Sequence, residues 1–269
     1  MSNEMTKRPA FSVVINSDRF KKSIMNTLQD ENRARRFISS IVSAVNTNPA
    51  LAECDASTII SGALLGESLN LSPSPQYYLV PFNDNKRGCK VAQFQLGYKG
   101  YIQLAIRSGK YRKLNVLAIK EGELIRFDPL NEEIEINLIE DEIVRESTPT
   151  IGYYAMFEYT NGFKKAIYWS KQKMESHAAQ YSPGYKAHKG YTFWEKDFDG
   201  MAYKTMLRQL ISKWGVMSIE MQDVIAKDNG ILRENNEVEF IGDTEAAPTD
   251  IPKQQDEPVE AETVTMDEL

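Results

Sequence analysis

Apolar residues recur along this chain at two periods, and the change from one to the other predicts an α+β protein. Near the N-terminus the spacing is three and four. Asp18 can cap a helix carrying Phe20, Ile24 and Leu28, and a second helix carries Phe37, Ile38, Ile41, Val42 and Val45. After the Asn48–Pro49 break, Asp55 caps a third helix with Ile59, Ile60, Ala63, Leu64 and Leu69. Gly62 and Gly66 lie four apart on it and permit close approach by another backbone. Ser72-Pro73-Ser74-Pro75 ends that unit. The period then falls to two. YYLVPF (77–82) and KVAQFQL (90–96) flank the polar NDNKRGC and predict a hairpin, with Pro81 at an edge or strand end.

Gly97 opens a central helix in which Tyr98, Tyr101, Ile102, Ala105 and Ile106 form the buried face and Lys99, Gln103, Arg107 and Lys110 the other. Gly109 ends it. Short strands follow at 114–119, 124–127, 133–138, 151–159 and 163–169, the last two joined by the turn pair Asn161-Gly162. Ser170 caps a short helix to about Ala179, and 180–190 reads as a flexible loop. Phe198–Trp214 is the last strong helix, with Tyr203, Leu207, Leu210, Ile211 and Trp214 inward and Lys204 and Arg208 on the other side. A short amphipathic segment occupies 219–226. The expected architecture is a mostly antiparallel sheet with packed helices. It divides into a helical region at 1–50, a core at 51–230 and a disordered acidic tail at 231–269.

Charge changes this picture. The net charge is −6, yet 85–120 holds nine basic residues and no acidic one. Residues 241–269 hold nine acidic residues against Lys253 alone, which leaves the remainder of the chain slightly positive. The acidity belongs to the tail, so an anionic partner for the body is compatible with it. Aromatics and glycines are interleaved with the basic run. Cations spaced along a path can follow phosphates, while flat side chains and amides can meet bases, a pattern suited to single-stranded nucleic acid.

Catalytic chemistry finds little to stand on. There is no GxxxxGK[ST] loop, GxSxG or HExxH. The only histidines are His177 and His188, and the two cysteines, Cys54 and Cys89, make neither a disulfide framework nor a zinc cage, as suits a reducing cytoplasm. No run is apolar and long enough for a membrane span, and the start lacks a signal-peptide core. One acidic cluster, Glu195, Asp197 and Asp199, can be read as a divalent-cation site of a nuclease. Equally, acids at a helix N-terminus are favoured by the helix dipole alone.

The stretches SGALLGESLNLSP (61–73), YYLVPF, QFQLGYKGYIQLAIRSGKY (93–111) and FWEKDFDGMAYKTMLRQLISKW (193–214), with the acidic tail, resemble the RecT family of bacteriophage single-strand annealing proteins. The resemblance implies a β-sheet-plus-helix core with a positively charged groove. It also implies an ATP-independent recombinase that coats single-stranded DNA as rings or filaments and pairs complementary strands. The implied partners are single-stranded and annealed DNA, further copies of the chain, a phage exonuclease and the host single-strand-binding protein. The implied setting is the bacterial cytoplasm. No cofactor is required, and magnesium is compatible with the mechanism. On this reading Lys99, Gln103, Arg107, Lys110, Arg112 and Lys113 hold one strand and Lys204 and Arg208 complete the groove wall. Gln95 and Tyr98 are counted among the DNA-binding residues, Gly97 and Gly100 let backbone come close, and Lys86 and Arg87 touch the same strand, an incoming one or a neighbouring subunit.

Overall fold

In the computed structural model of the protein, the residues described are 11–190, 192–216, 219–233 and 237–239. Three helices open the chain: α1 (Phe11–Ile15), α2 (Asp18–Leu28) and α3 (Glu31–Thr47). Ala34, Phe37, Ile41 and Val45 form the buried stripe of α3, and the Asp30 side chain caps it by accepting from the Arg33 amide. A 3-10 turn leads to α4 (Ala56–Ser68), capped by Asp55. The predicted hairpin forms as β1 (Tyr77–Asp84) and β2 (Cys89–Leu96), paired antiparallel with Val80 opposite Gln93. That register gives the ribbon two faces. Tyr77, Leu79, Ala92, Phe94 and Leu96 join the core with α4, and the Tyr77 and Phe94 rings stack at 5.3 Å. Tyr78, Val80, Gln93 and Gln95 face the other way.

The two glycines of α4 do admit a close neighbour, but it is side chain and not backbone. A Cβ at Gly66 would lie 2.3 Å from Tyr77 Cε1, and one at Gly62 would lie 2.8 Å from Leu79 Cδ2. Replacing Gly66 with Ala therefore overpacks the seam between α4 and β1. We expect a loss of about 1–3 kcal/mol in urea unfolding, with little change in the far-ultraviolet signal of the folded state.

The central helix is α5 (Tyr98–Arg107). Its buried residues are Gly100, Tyr101, Leu104 and Ala105, and Ile106 is 60 % exposed, so the inward face is rotated from the one the sequence predicts. A second layer follows: β3 (Tyr111–Lys120), β6 (Thr150–Tyr159) and β7 (Lys164–Ser170), antiparallel in the order β3-β6-β7. Tyr153, Ala155, Phe157 and Tyr159 alternate inward along β6 onto a core shared with α7 (Lys171–Tyr181) and α10 (Phe198–Trp214). Between β3 and β6 the chain makes an excursion: β4 (Leu124–Asp128), β5 (Glu133–Ile136) and a helix the sequence does not predict, α6 (Glu142–Ser147). The stretch read as a loop at 180–190 is shorter than expected. The α7 helix runs to Tyr181, and α8 (Pro183–Lys186) follows, then α9 (Phe193–Lys196). The last helix is α11 (Ile219–Lys227), and β8 (Ile231–Leu232) pairs with β9 (Val238–Glu239).

Helix α10 joins the two cores. Leu207 and Ile211, four apart, pack with the N-terminal helices, the hairpin and α5. Met206 and Leu210, also four apart but turned by one residue, pack under the three-stranded sheet. Trp214, expected inward, is 48 % exposed, and Lys165 Nζ sits 3.5 Å above its ring.

Candidate nucleic-acid interface

The outward face of the hairpin and the α7–α10 segment enclose a cleft of about 670 Å³. Val80, Phe82, Gln93 and Gln95 line one wall, and Tyr181, Phe193, Trp194, Lys196, Met201 and Lys204 line the other. Val80 faces Gln93 and Tyr78 faces Gln95 across the ribbon, so the strand period turns both glutamines to this wall, and Pro81, Asn83 and Lys90 complete it toward the hairpin tip. Gln95 donates to Gln93 Oε1 at 2.9 Å, and Gln93 in turn donates to the Asn229 carbonyl. This chain of amides fixes the floor. Phe193 begins α9 and is 45 % exposed, its ring 5.9 Å from that of Tyr78. A smaller recess continues from the cleft, lined by Tyr78, Gly97, Tyr98 and Asp197 and sharing Gln95, Phe193, Met201 and Lys204. Burial, with the negative charge of Asp197 and then Tyr98 beside it, lifts the Tyr78 hydroxyl above the ordinary tyrosine range, so the ring stays neutral. Flat rings, amides and a few cations in a cleft of this volume can take an unstacked nucleotide strand.

The expected DNA-gripping residues do not all meet here. Gln95, Tyr98 and Lys204 line the cavities. Lys99, Lys110, Arg112 and Lys113 are exposed along α5 and β3, and Gln103 is half-buried on α5. Arg112 and Lys113, with Lys164 of β7, surround the buried carboxylate of Glu158 at 3.3, 3.7 and 3.5 Å. One acid among three cations leaves a positive patch whose side chains are partly fixed. Arg107 has a structural duty: it donates to the Leu69 carbonyl and, at 2.7 Å, to that of Asn70, both just past the end of α4. Lys86 is exposed at the hairpin tip. Arg87 beside it pairs with Asp84 at 3.0 Å and Glu239 at 2.5 Å, and these bonds raise the Arg87 pKa further.

Three expectations need correcting. Lys204 and Arg208 do not lie on a solvent face of α10, because both are buried around Asp228, itself without exposure. Asp228 accepts from the Leu96 amide at 2.8 Å and from Tyr101 Oη at 3.2 Å, with Arg208 Nη1 at 3.3 Å and Lys204 Nζ at 3.6 Å. Arg208 thus belongs to the fold, and Lys204 borders the cleft from within it. Nor do Gly97 and Gly100 wait for DNA. A Cβ there would come 2.4 Å from the Pro75 carbonyl oxygen and 2.3 Å from that of Gln76, so the approaching backbone is the chain's own. Finally, Glu195, Asp197 and Asp199 are spent separately. Glu195 closes a capping box with Thr192, and bonds from the Thr192 side chain and the Gly190 amide hold its pKa below the usual range. Asp197 caps α10, and Asp199 accepts from Tyr153 Oη at 2.6 Å. Among the described residues, no three His, Cys, Asp or Glu side chains gather as metal ligands.

Residues missed from the sequence are Phe193, Lys196, Tyr181 and Gln93. Phe193 and Lys196 stand in a stretch dense with aromatics and charges, but only the packing of α9 against the hairpin reveals which of them face the cleft.

These elements lie largely within a region with known relatives. Over 200 residues, 73 % of this chain, the sequence is 41 % identical to the uncharacterized protein YqaK of Bacillus subtilis (strain 168). That alignment spans 65 % of YqaK, so the chain corresponds to somewhat less than two thirds of that relative. Over 225 residues, 80 % of this chain and 78 % of the relative, it is 29 % identical to Protein RecT of Escherichia coli (strain K12). Residues 35–243 match the RecT family, a span that runs from α3 through the hairpin, both cavities and the Asp228 hub. The chain belongs to the RecT family.

Proposed function

We propose that this protein binds single-stranded DNA and anneals complementary strands during recombination, without ATP and as a homo-oligomer. The observation that supports this most is the family match over residues 35–243, because it takes in every wall of the cleft. In this reading the hairpin face and Phe193 hold bases, with Gln95, Tyr98 and Lys204 around them. The exposed cations Lys99, Lys110, Arg112 and Lys113, with Gln103 between, follow phosphates, and Lys86 and Arg87 meet the same or a second strand. The protein does no covalent chemistry. It lowers the repulsion between two polyanions and leaves base edges free to test each other for pairing. Each subunit needs to grip only a few nucleotides, since affinity accumulates along an assembly. Magnesium is not required by such a mechanism. An exonuclease that exposes single strands and a host single-strand-binding protein are the proposed partners, in the bacterial cytoplasm. Among the described residues no helix is long and apolar enough to cross a membrane.

The test is annealing of two complementary oligonucleotides without ATP, over a salt titration. Substituting Lys99, Lys110 and Lys113 with Ala should lower the slope of log affinity against log salt by about 0.7 for each phosphate that is no longer neutralised. Absence of annealing by the unaltered protein, or an unchanged slope in the triple variant, would sink the respective half of the reading.

A further inference from the structure

The excursion between β3 and β6 has no role in the cleft and does not fit its own surroundings. Its anchors are few and specific. Arg145 donates to Glu123 at 2.6 Å and to the Ala118 carbonyl at 2.7 Å, Lys165 pairs with Glu132, and the Phe127 ring meets that of Tyr168 at 5.1 Å. Beyond these, apolar side chains face outward: Ile125 is 59 % exposed, Leu130 88 % and Ile143 83 %, with Leu138 and Val144 near half. No residue of α6 is buried. A short helix and a two-stranded ribbon that bury so little do not hold a fixed form for their own sake, and five exposed apolar side chains within one short segment point to a contact surface.

Charge says what the contact takes. Residues 121–147 contain ten acidic side chains against Arg126 and Arg145, and all of the ten but Glu123 reach the surface. Such a surface repels DNA phosphates and anionic lipid headgroups. It also repels itself, so a two-fold contact of this patch with its own copy is disfavoured. A basic and apolar partner fits, and the chain carries one at its other end. On α2, Lys21, Lys22 and Met25 are exposed, and on α1 Val13 is 63 % exposed.

We propose that the β4–β5 ribbon and α6 of one copy dock on α1 and α2 of a second copy. Two different patches make this a head-to-tail contact, which closes into a ring or continues as a filament. The inference rests on the homo-oligomer reading above and adds the contact that builds it. It leaves the cleft and the Lys99–Lys113 cations free for DNA.

Sedimentation velocity of the full chain, alone and on a long single strand, tests this alongside anisotropy on a short labelled oligonucleotide. Glu135→Lys with Glu146→Lys should reduce the assembly to monomers, as should Lys21→Glu with Lys22→Glu. All four changes in one chain should restore it. Leu130→Ser with Ile143→Ser should also block assembly, with near-ultraviolet dichroism reporting that the fold is intact. Binding of the short oligonucleotide should stay within about twofold throughout. The contact is overturned if either charge-reversed pair assembles like the unaltered chain, if the fourfold variant stays monomeric, or if the unaltered chain is monomeric under both conditions. Failure of the unaltered chain to bind the short oligonucleotide removes the DNA reading instead, and assembly of the free chain still decides the contact.

Discussion

Replacing Asp228 with Ala should cost about 3–5 kcal/mol of unfolding free energy, because it strands two buried cations beside each other. Lys204 and Arg208 lie at 3.6 and 3.3 Å from the carboxylate; Arg208 is enclosed, and Lys204 meets solvent only where it borders the cleft. The same change removes the acceptors of the Leu96 amide and Tyr101 Oη, so the end of β2, α5, α10 and the end of α11 lose their common tie. At roughly 2–4 °C per kcal/mol for a domain of this size, the melting temperature should fall by about 6–20 °C. Urea unfolding measures the effect. A second variant separates charge from packing. Adding Arg208→Met to Asp228→Ala removes one stranded cation and keeps a long apolar stem, so part of the stability should return. If Asp228→Ala unfolds within about 1 kcal/mol of the unaltered chain, the hub is not what holds these elements together. This also changes how Arg208 variants should be read. Weak DNA binding by Arg208→Ala would report a damaged fold, not a missing grip on a phosphate.

The second large effect concerns Phe193. If bases stack in the cleft, removing this ring should weaken single-strand binding by about 1–3 kcal/mol, roughly 5- to 150-fold, at fixed salt. The slope against salt should not move, since no charge is removed. Phe193→Tyr keeps a flat face and should restore most of the affinity. Stability should change little, because the ring is 45 % exposed and meets Tyr78 at 5.9 Å without entering either core. Anisotropy with a labelled oligonucleotide at two salt concentrations reads both quantities. Equal affinity for Phe193→Ala and the unaltered chain would move the strand out of this cleft and onto the cationic edge of α5 and β3. The paired measurement is useful because the two surfaces carry different physics. The cleft offers rings and amides, and the Lys99–Lys113 edge offers charge.

Local signals in the sequence carried most elements. The hairpin at 77–96, the cap at Asp55, the start of α5 after Gly97, the cap at Ser170 and the span of α10 are all legible, because caps, turn residues and apolar period act within a few residues of themselves. Helix α6 was not legible, since it buries nothing and so carries no apolar stripe. The resemblance carried by 61–111 and 193–214 was specific enough to give the family.

What the sequence alone determined, then, is the order of elements, the family and the basic run at 85–120. Tertiary structure alone decided which of the chain's cations are already engaged within the fold. Periodicity assigns one face of a helix to the core and the rest to water, and that holds only where a helix has one packed side. Helix α10 is packed on more than one, so Lys204 and Arg208 turn inward to Asp228, twenty or more residues later in the chain. Arg107 reaches back to close the end of α4, and the glycines at 97 and 100 make room for Pro75 and Gln76. A charge reads the same in sequence whether it grips DNA or a carboxylate. Only the position of the carboxylate, set by the packing of distant segments, separates the two.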